Sequence, residues 1–143
     1  MPLKNKNERA ASRYEAAQGI SRLEDCENIV DGTIAELGAI DVLVNNSGID
    51  DSFKGVLTTM DERLDDVVGL DLTGLFYMCR ATMRHMTAAG SGVIVNVSSV
   101  GGVFFNAETA YSATKAGVIG LTTVLRHGYT LQRNLPRSDP DAF

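Results

Sequence analysis

The chain has 143 residues, 44% of them apolar, and a formal net charge of −5, which suits one domain with a modest core and excludes an electrostatic platform for nucleic acid. Its two cysteines, Cys26 and Cys79, have no second Cys or His at ligand spacing, so neither a disulfide framework nor a metal site is indicated. No apolar run reaches the roughly 18 to 20 residues of a bilayer span, and "MPLKNKNERAASR" lacks the apolar core of a leader, which makes a cytoplasmic protein with no membrane partner the expectation.

Along the chain, "YEAAQGIS" (Tyr14 to Ser21) reads as a strand ended by Gly19 and Ser21. From Glu24, small or apolar residues at Cys26, Ile29, Val30, Ile34 and Leu37 keep a helical period, and Gly38 supplies the stop. The run Val42 to Val44 is too short for a helix and ends in "NNSG", the pattern of a buried parallel strand running into a tight loop. In "TMDE", Thr59 and Glu62 have capping-box spacing and predict the start of a long helix. That helix is expected to turn Leu64, Val67, Val68, Leu72, Leu75, Phe76, Cys79, Met83 and Met86 inward and to stop near Gly90. Gly69 and Gly74 inside it each cost about 1 kcal/mol relative to Ala, so close packing against a neighbour is expected there. "GVIVNVSS" is a second buried strand, and "AYSATKAGVIGLTTVL" a third helix.

Strands and helices alternating at this spacing predict an α/β fold, a partial doubly wound parallel sheet of about three strands and three helices. Residues 1–125 are assigned to this domain. From Arg126, "RHGYTLQRNLPRSDPDAF" shows no period and holds two of the three prolines, so residues 126–143 read as an irregular tail.

In such a sheet, ligands bind beyond the carboxyl ends of the strands. Two loops lie there, Asn45 to Gly48 and Ser98 to Gly102, with neutral hydrogen-bonding side chains and glycines that admit close approach. Tyr111 and Lys115 share a helix face at i and i+4. Taken alone they read as an exposed surface pair. Yet an ammonium within about 4 to 6 Å favours a phenolate, so the two could pass a proton to or from a substrate oxygen, with a serine from the second strand holding that oxygen.

"DVLVNNSG", "GVIVNVSS" and "YSATK", in this order and separation, resemble the short-chain dehydrogenase/reductase family over roughly Gln18 to Leu125. The resemblance implies a Rossmann-like fold and an oxidoreductase that uses NAD or NADP to interconvert a small-molecule carbonyl and a secondary alcohol. It implies Tyr111 as general acid/base, Lys115 as its electrostatic partner and ribose ligand, and Ser99 as the residue polarising the carbonyl, with Ser98 selected instead if one counts back from Tyr111. Asn45, Asn46 and Gly48 would line the cofactor's adenosine-ribose side and steady the sheet. A homo-oligomer through the long helices is also implied.

The sequence departs from the family in several places. Asp71, in "DLTG", replaces the family's Asn and adds a charge near Lys115, and Gly19 stands where an adenine-contacting Asp is usual. The glycine-rich turn that takes the cofactor pyrophosphate on a helix N-terminus has no counterpart, and the first two strands of the family are not found. Those absences predict a gap of roughly 14 Å between the strand before Ser21 and the strand at Val42, and helices confined to one face of a sheet whose other face is bare and apolar. They also support an alternative, a catalytically silent fragment that serves at most as a self-associating module.

Overall fold

The computed structural model describes residues 20–104 and 108–134, with side chains as far as Arg126. Helix α1 (Leu23–Leu37) leads to strand β1 (Val42–Asn45), then α2 (Asp61–Val68), a π-helical segment (Gly69–Gly74) and α3 (Leu75–Ala89). Strand β2 (Val93–Asn96), a 3-10 turn (Val100–Gly102) and α4 (Thr109–Asn134) follow. The two strands pair in parallel, Val42 opposite Val93 and Asn45 opposite Asn96, which makes this an α/β fold with the helices as crossovers.

Alternation along the strands decides which sheet face the helices cover. Leu43 packs with Cys26, Val30, Met78 and Ala81 from α1 and α3. Ile94 packs with Leu75, Cys79 and Val118 from α3 and α4. Val42, Val44, Val93, Val95 and Val97, on the opposite face, remain between 38% and 56% exposed. The bare apolar face expected from the sequence is therefore present. The strand expected at Tyr14–Ser21, and with it the expected gap, falls largely outside the described residues, and Ile20 and Ser21 form a turn.

Three expectations change. The N-cap of α2 is Met60, without a side-chain cap bond, because Thr59 instead donates its hydroxyl to the carbonyl of Gly55 at 3.0 Å. The long helix is interrupted by the π segment, whose wider turns leave Val67, Asp71, Leu75 and Cys79 buried at four-residue spacing while Leu64 and Phe76, expected inside, are each 42% exposed. Helix α4 runs on to Asn134, through residues expected to start an irregular tail at Arg126. Once nucleated on a packed face, a helix propagates through residues of fair propensity such as Arg, Leu and Gln. The first proline beyond it is Pro136.

Both cysteines are free and buried. Burial, then the charges of Asp25 and Glu27, push the Cys26 thiol up to about 11, and burial also raises that of Cys79, so both act as apolar packing residues. Cys26 donates to the carbonyl of Ile20 at 3.2 Å, the same carbonyl that lies against Gly74.

A Cβ on Gly74 would sit 2.6 Å from the Ile20 oxygen, whereas one on Gly69 would meet only Ser21 Cβ at 3.7 Å. Gly74→Ala should therefore lose about 1–3 kcal/mol to overpacking, outweighing the ~1 kcal/mol that alanine gains in helix propensity. Gly69→Ala should be neutral or stabilising. Urea unfolding of both variants checks the contrast.

Candidate active site

The carboxyl ends of β1 and β2 lie side by side, held level by side chains beneath them. Asn45 donates to its register partner Asn96 at 2.8 Å and to the Cys79 sulfur at 3.3 Å. Asn96 in turn donates to Thr122 of α4 at 3.0 Å. Asn45 is thus buried and turned toward the helices, a sheet-steadying residue, while Asn46 is exposed on the loop that follows.

Lys115 sits 5.2 Å from the centroid of the Tyr111 ring, so the i and i+4 spacing on α4 does bring the two together. Its ammonium also lies 3.2 Å from Asp71 Oδ2, an ion pair in which the lysine side chain is 4% and the aspartate 0% exposed. Asp71 Oδ1 accepts the backbone N–H of Ile49 at 2.8 Å. Gly48 passes directly over the pair: a Cβ there would come within 2.9 Å of Lys115 Nζ and 3.1 Å of Asp71 Oδ2. The loop thus closes the ion pair from above, and a side chain at this position would have to push the ends of Lys115 and Asp71 aside.

The two serines after β2 differ in their bonding. Ser98 donates its hydroxyl to the carbonyl of Lys115 at 2.8 Å, tying the strand end to α4. Ser99 accepts the N–H of Gly101 at 3.2 Å and caps the 3-10 turn. Among the described residues its hydroxyl proton is given to no acceptor. The turn itself presses on α4, since a Cβ on Gly102 would lie 2.7 Å from the Lys115 carbonyl carbon.

One residue of this constellation carries no signal in the sequence. Asp51, fully buried, accepts the N–H groups of Ala110 at 2.6 Å and Tyr111 at 3.3 Å. It caps a helix that begins far along the chain, so no local capping pattern marks it; only its place just after "NNSG" could have drawn attention.

The family profile described as "short chain dehydrogenase" matches residues 3–133. The 2-(R)-hydroxypropyl-CoM dehydrogenase of Xanthobacter autotrophicus is 45% identical over 101 residues, 68% of this chain and 40% of that protein. The 3-oxoacyl-[acyl-carrier-protein] reductase FabG of Vibrio harveyi is 40% identical over 108 residues, 74% of this chain and 43% of that protein. Among solved structures, that of a Burkholderia xenovorans protein assigned to the short-chain dehydrogenases/reductases superposes with a TM-score of 0.74 at 31% identity, covering 78% of this chain and 45% of that one. The chain thus spans less than half the length of these relatives.

Removing one partner of a buried ion pair strands the other charge, at a cost of about 3–5 kcal/mol. Asp71→Ala should show a loss of that order, and the double variant Asp71→Ala/Lys115→Met should recover most of it. A double-mutant cycle by urea unfolding reads the coupling; additive losses would show that the pair is not coupled.

Proposed function

The chain belongs to the short-chain dehydrogenase family, and from that premise we propose that it supplies the proton-transfer half of an oxidoreductase that interconverts a carbonyl and a secondary alcohol with NAD or NADP. The carrying observation is the placement of Tyr111 and Lys115 together on α4, with Ser98 and Ser99 in the loop that leaves β2. The donor set fits the ribose and nicotinamide end of a dinucleotide. Lys115 has three N–H donors, and a ribose would reach it only by displacing the Gly48 loop that covers its pair with Asp71, while Gly48 and Asn46 lie on an exposed loop at the carboxyl end of β1.

When bound, the dinucleotide supplies or accepts the hydride. The residues of this chain manage the proton. In reduction, the Tyr111 phenol gives its proton to the carbonyl oxygen; in oxidation, the phenolate takes the proton of the alcohol hydroxyl back. Ser99, whose hydroxyl proton has no acceptor among the described residues, hydrogen-bonds that oxygen and holds it against Tyr111. Lys115 places positive charge beside the ring from which the proton leaves. Asp71 anchors the ammonium beneath Gly48 and neutralises part of its field, which the family's Asn does not.

The likeness to a 3-oxoacyl reductase makes ethyl acetoacetate a suitable first probe with NADH or NADPH. Tyr111→Phe should lower kcat by about 100-fold or more, and Ser99→Ala by a similar order. Ser98→Ala should mainly reduce stability, by about 1 kcal/mol. Turnover that survives Tyr111→Phe would refute the reading, and a reversed serine pattern would move the role to Ser98.

The exposed valine face favours a second reading, in which the chain alone is catalytically silent and associates through that face. Sedimentation velocity should then show concentration-dependent association that Val44→Lys/Val95→Lys abolishes, with no turnover in either protein. A monomeric, active wild-type chain excludes it.

A further inference from the structure

The loop between β1 and α2 touches the candidate site at two separate points. Near its start, the Ile49 N–H bonds Asp71, the partner of Lys115. Two residues on, Asp51 Oδ2 receives the backbone N–H groups of Ala110 and of Tyr111 itself. One short stretch therefore sets the position of both ends of the Tyr111–Lys115 unit.

The second contact is poorly accounted for as a stabilising device. Asp51 is 0% exposed, and its Oδ1 is buried with no hydrogen-bond partner among the described residues. Taking a carboxylate out of water is costly unless its oxygens are satisfied. Here one oxygen is offset only by two amides and the positive end of the α4 dipole. The segment is also conformationally tense, because Ser52 and Phe53 both adopt left-handed backbone at φ 57° and 59°, a region that costs a bulky residue such as Phe. It is strapped down all the same: Ser52 N–H bonds Asp50 at 2.9 Å, Arg63 donates to the Asp50 carbonyl, and Thr109 N–H reaches the Lys54 carbonyl at 3.3 Å.

We propose that Asp51 is a positioning residue: its carboxylate grips the first turn of α4 from across the fold and sets the height of Tyr111 above the ends of β1 and β2. This role rests on the oxidoreductase reading. Ala110 and Tyr111 are among the first amides of the helix and lack intrahelical acceptors, so Asp51 holds backbone that the helix does not hold by itself.

The test compares wild-type chain, Asp51→Ala and Asp51→Asn by residue-resolved amide hydrogen exchange and by NAD(P)H-dependent reduction of ethyl acetoacetate per folded molecule. Asp51→Ala should speed exchange at Ala110 and Tyr111 by about tenfold, leaving unchanged the Val97 N–H that bonds Asn45. It should lower kcat by about tenfold or more with KM within about twofold, as expected for a misplaced acid/base. Asp51→Asn keeps an acceptor oxygen and should restore most of both. Unchanged exchange at Ala110 and Tyr111, or unchanged kcat in an active Asp51→Ala protein, would overturn the assignment. If the wild-type chain itself shows no turnover, the oxidoreductase reading fails, and the exchange data still decide whether Asp51 grips the helix.

Discussion

The buried ion pair between Asp71 and Lys115 is the constraint around which the rest of the site is arranged. Two opposite charges withdrawn from water attract strongly, but the cost of desolvation cancels much of that gain unless their remaining donors and acceptors are also met. The structure meets part of that demand with backbone: Ile49 N–H bonds the second carboxylate oxygen, and Gly48 closes over the pair where any side chain would intrude. The π segment presents Asp71 and α4 presents Lys115, and the two elements approach closely because Gly117 faces Leu72, whose methyls would lie 3.1 Å from a Cβ. Three segments distant in sequence are thereby fixed relative to one another by a single pair of charges. The π geometry has its own part in this, since the wider turn brings Asp71 inward in line with Val67 and Leu75.

A second, neutral network lies under the sheet and does different work. Asn45, Cys79, Asn96 and Thr122 join the ends of both strands to α3 and α4. Because Asn45 and Asn96 are register partners, their bond keeps the two strand ends level, so that the loops leaving them emerge together. The cysteine suits this place: buried, with its thiol kept protonated by burial, it is a small apolar residue with a weak donor and acceptor. The helices thus secure one face of the sheet and leave the five valines of the other exposed. Among the described residues, that asymmetry follows from two paired strands whose crossover helices lie on one side.

Much of this was legible in the sequence because it depends on local patterns. The short valine-rich runs, the apolar period of α1, the stops at Gly38 and Gly90, and the Tyr111–Lys115 spacing each express a backbone periodicity that needs no tertiary information. What was not legible depends on contacts across the fold. Thr59 looks like a cap, but its hydroxyl is taken by the turn at Gly55. Leu64 and Phe76 fit a perfect α period and lie outside because the π segment shifts the phase. Asp51 caps a helix from a distant loop and has no signature beside that helix. Asn45 is expected both to line the cofactor's ribose side and to steady the sheet, and its amide is turned to the core, where it serves the sheet.

Two serines follow β2, and what separates them is their bonding rather than their count from Tyr111. Successive side chains on a strand point to opposite faces, so a shift of one residue would reverse every inward and outward position from Val93 onward. A change of loop length beyond the strand needs no such reversal. With the strand as reference, Ser98 continues toward the helix side, and its hydroxyl is committed to the Lys115 carbonyl. Ser99 accepts the Gly101 N–H and caps the 3-10 turn, and among the described residues its hydroxyl proton has no acceptor. A hydroxyl proton already given to a helix carbonyl is a poor donor to a substrate oxygen, whereas an uncommitted one on a residue held by its lone pair is both positioned and available. In the proposed reaction Ser99 is therefore the better-suited donor, since Ser98 has given its hydroxyl proton to α4 and, among the described residues, Ser99 has not.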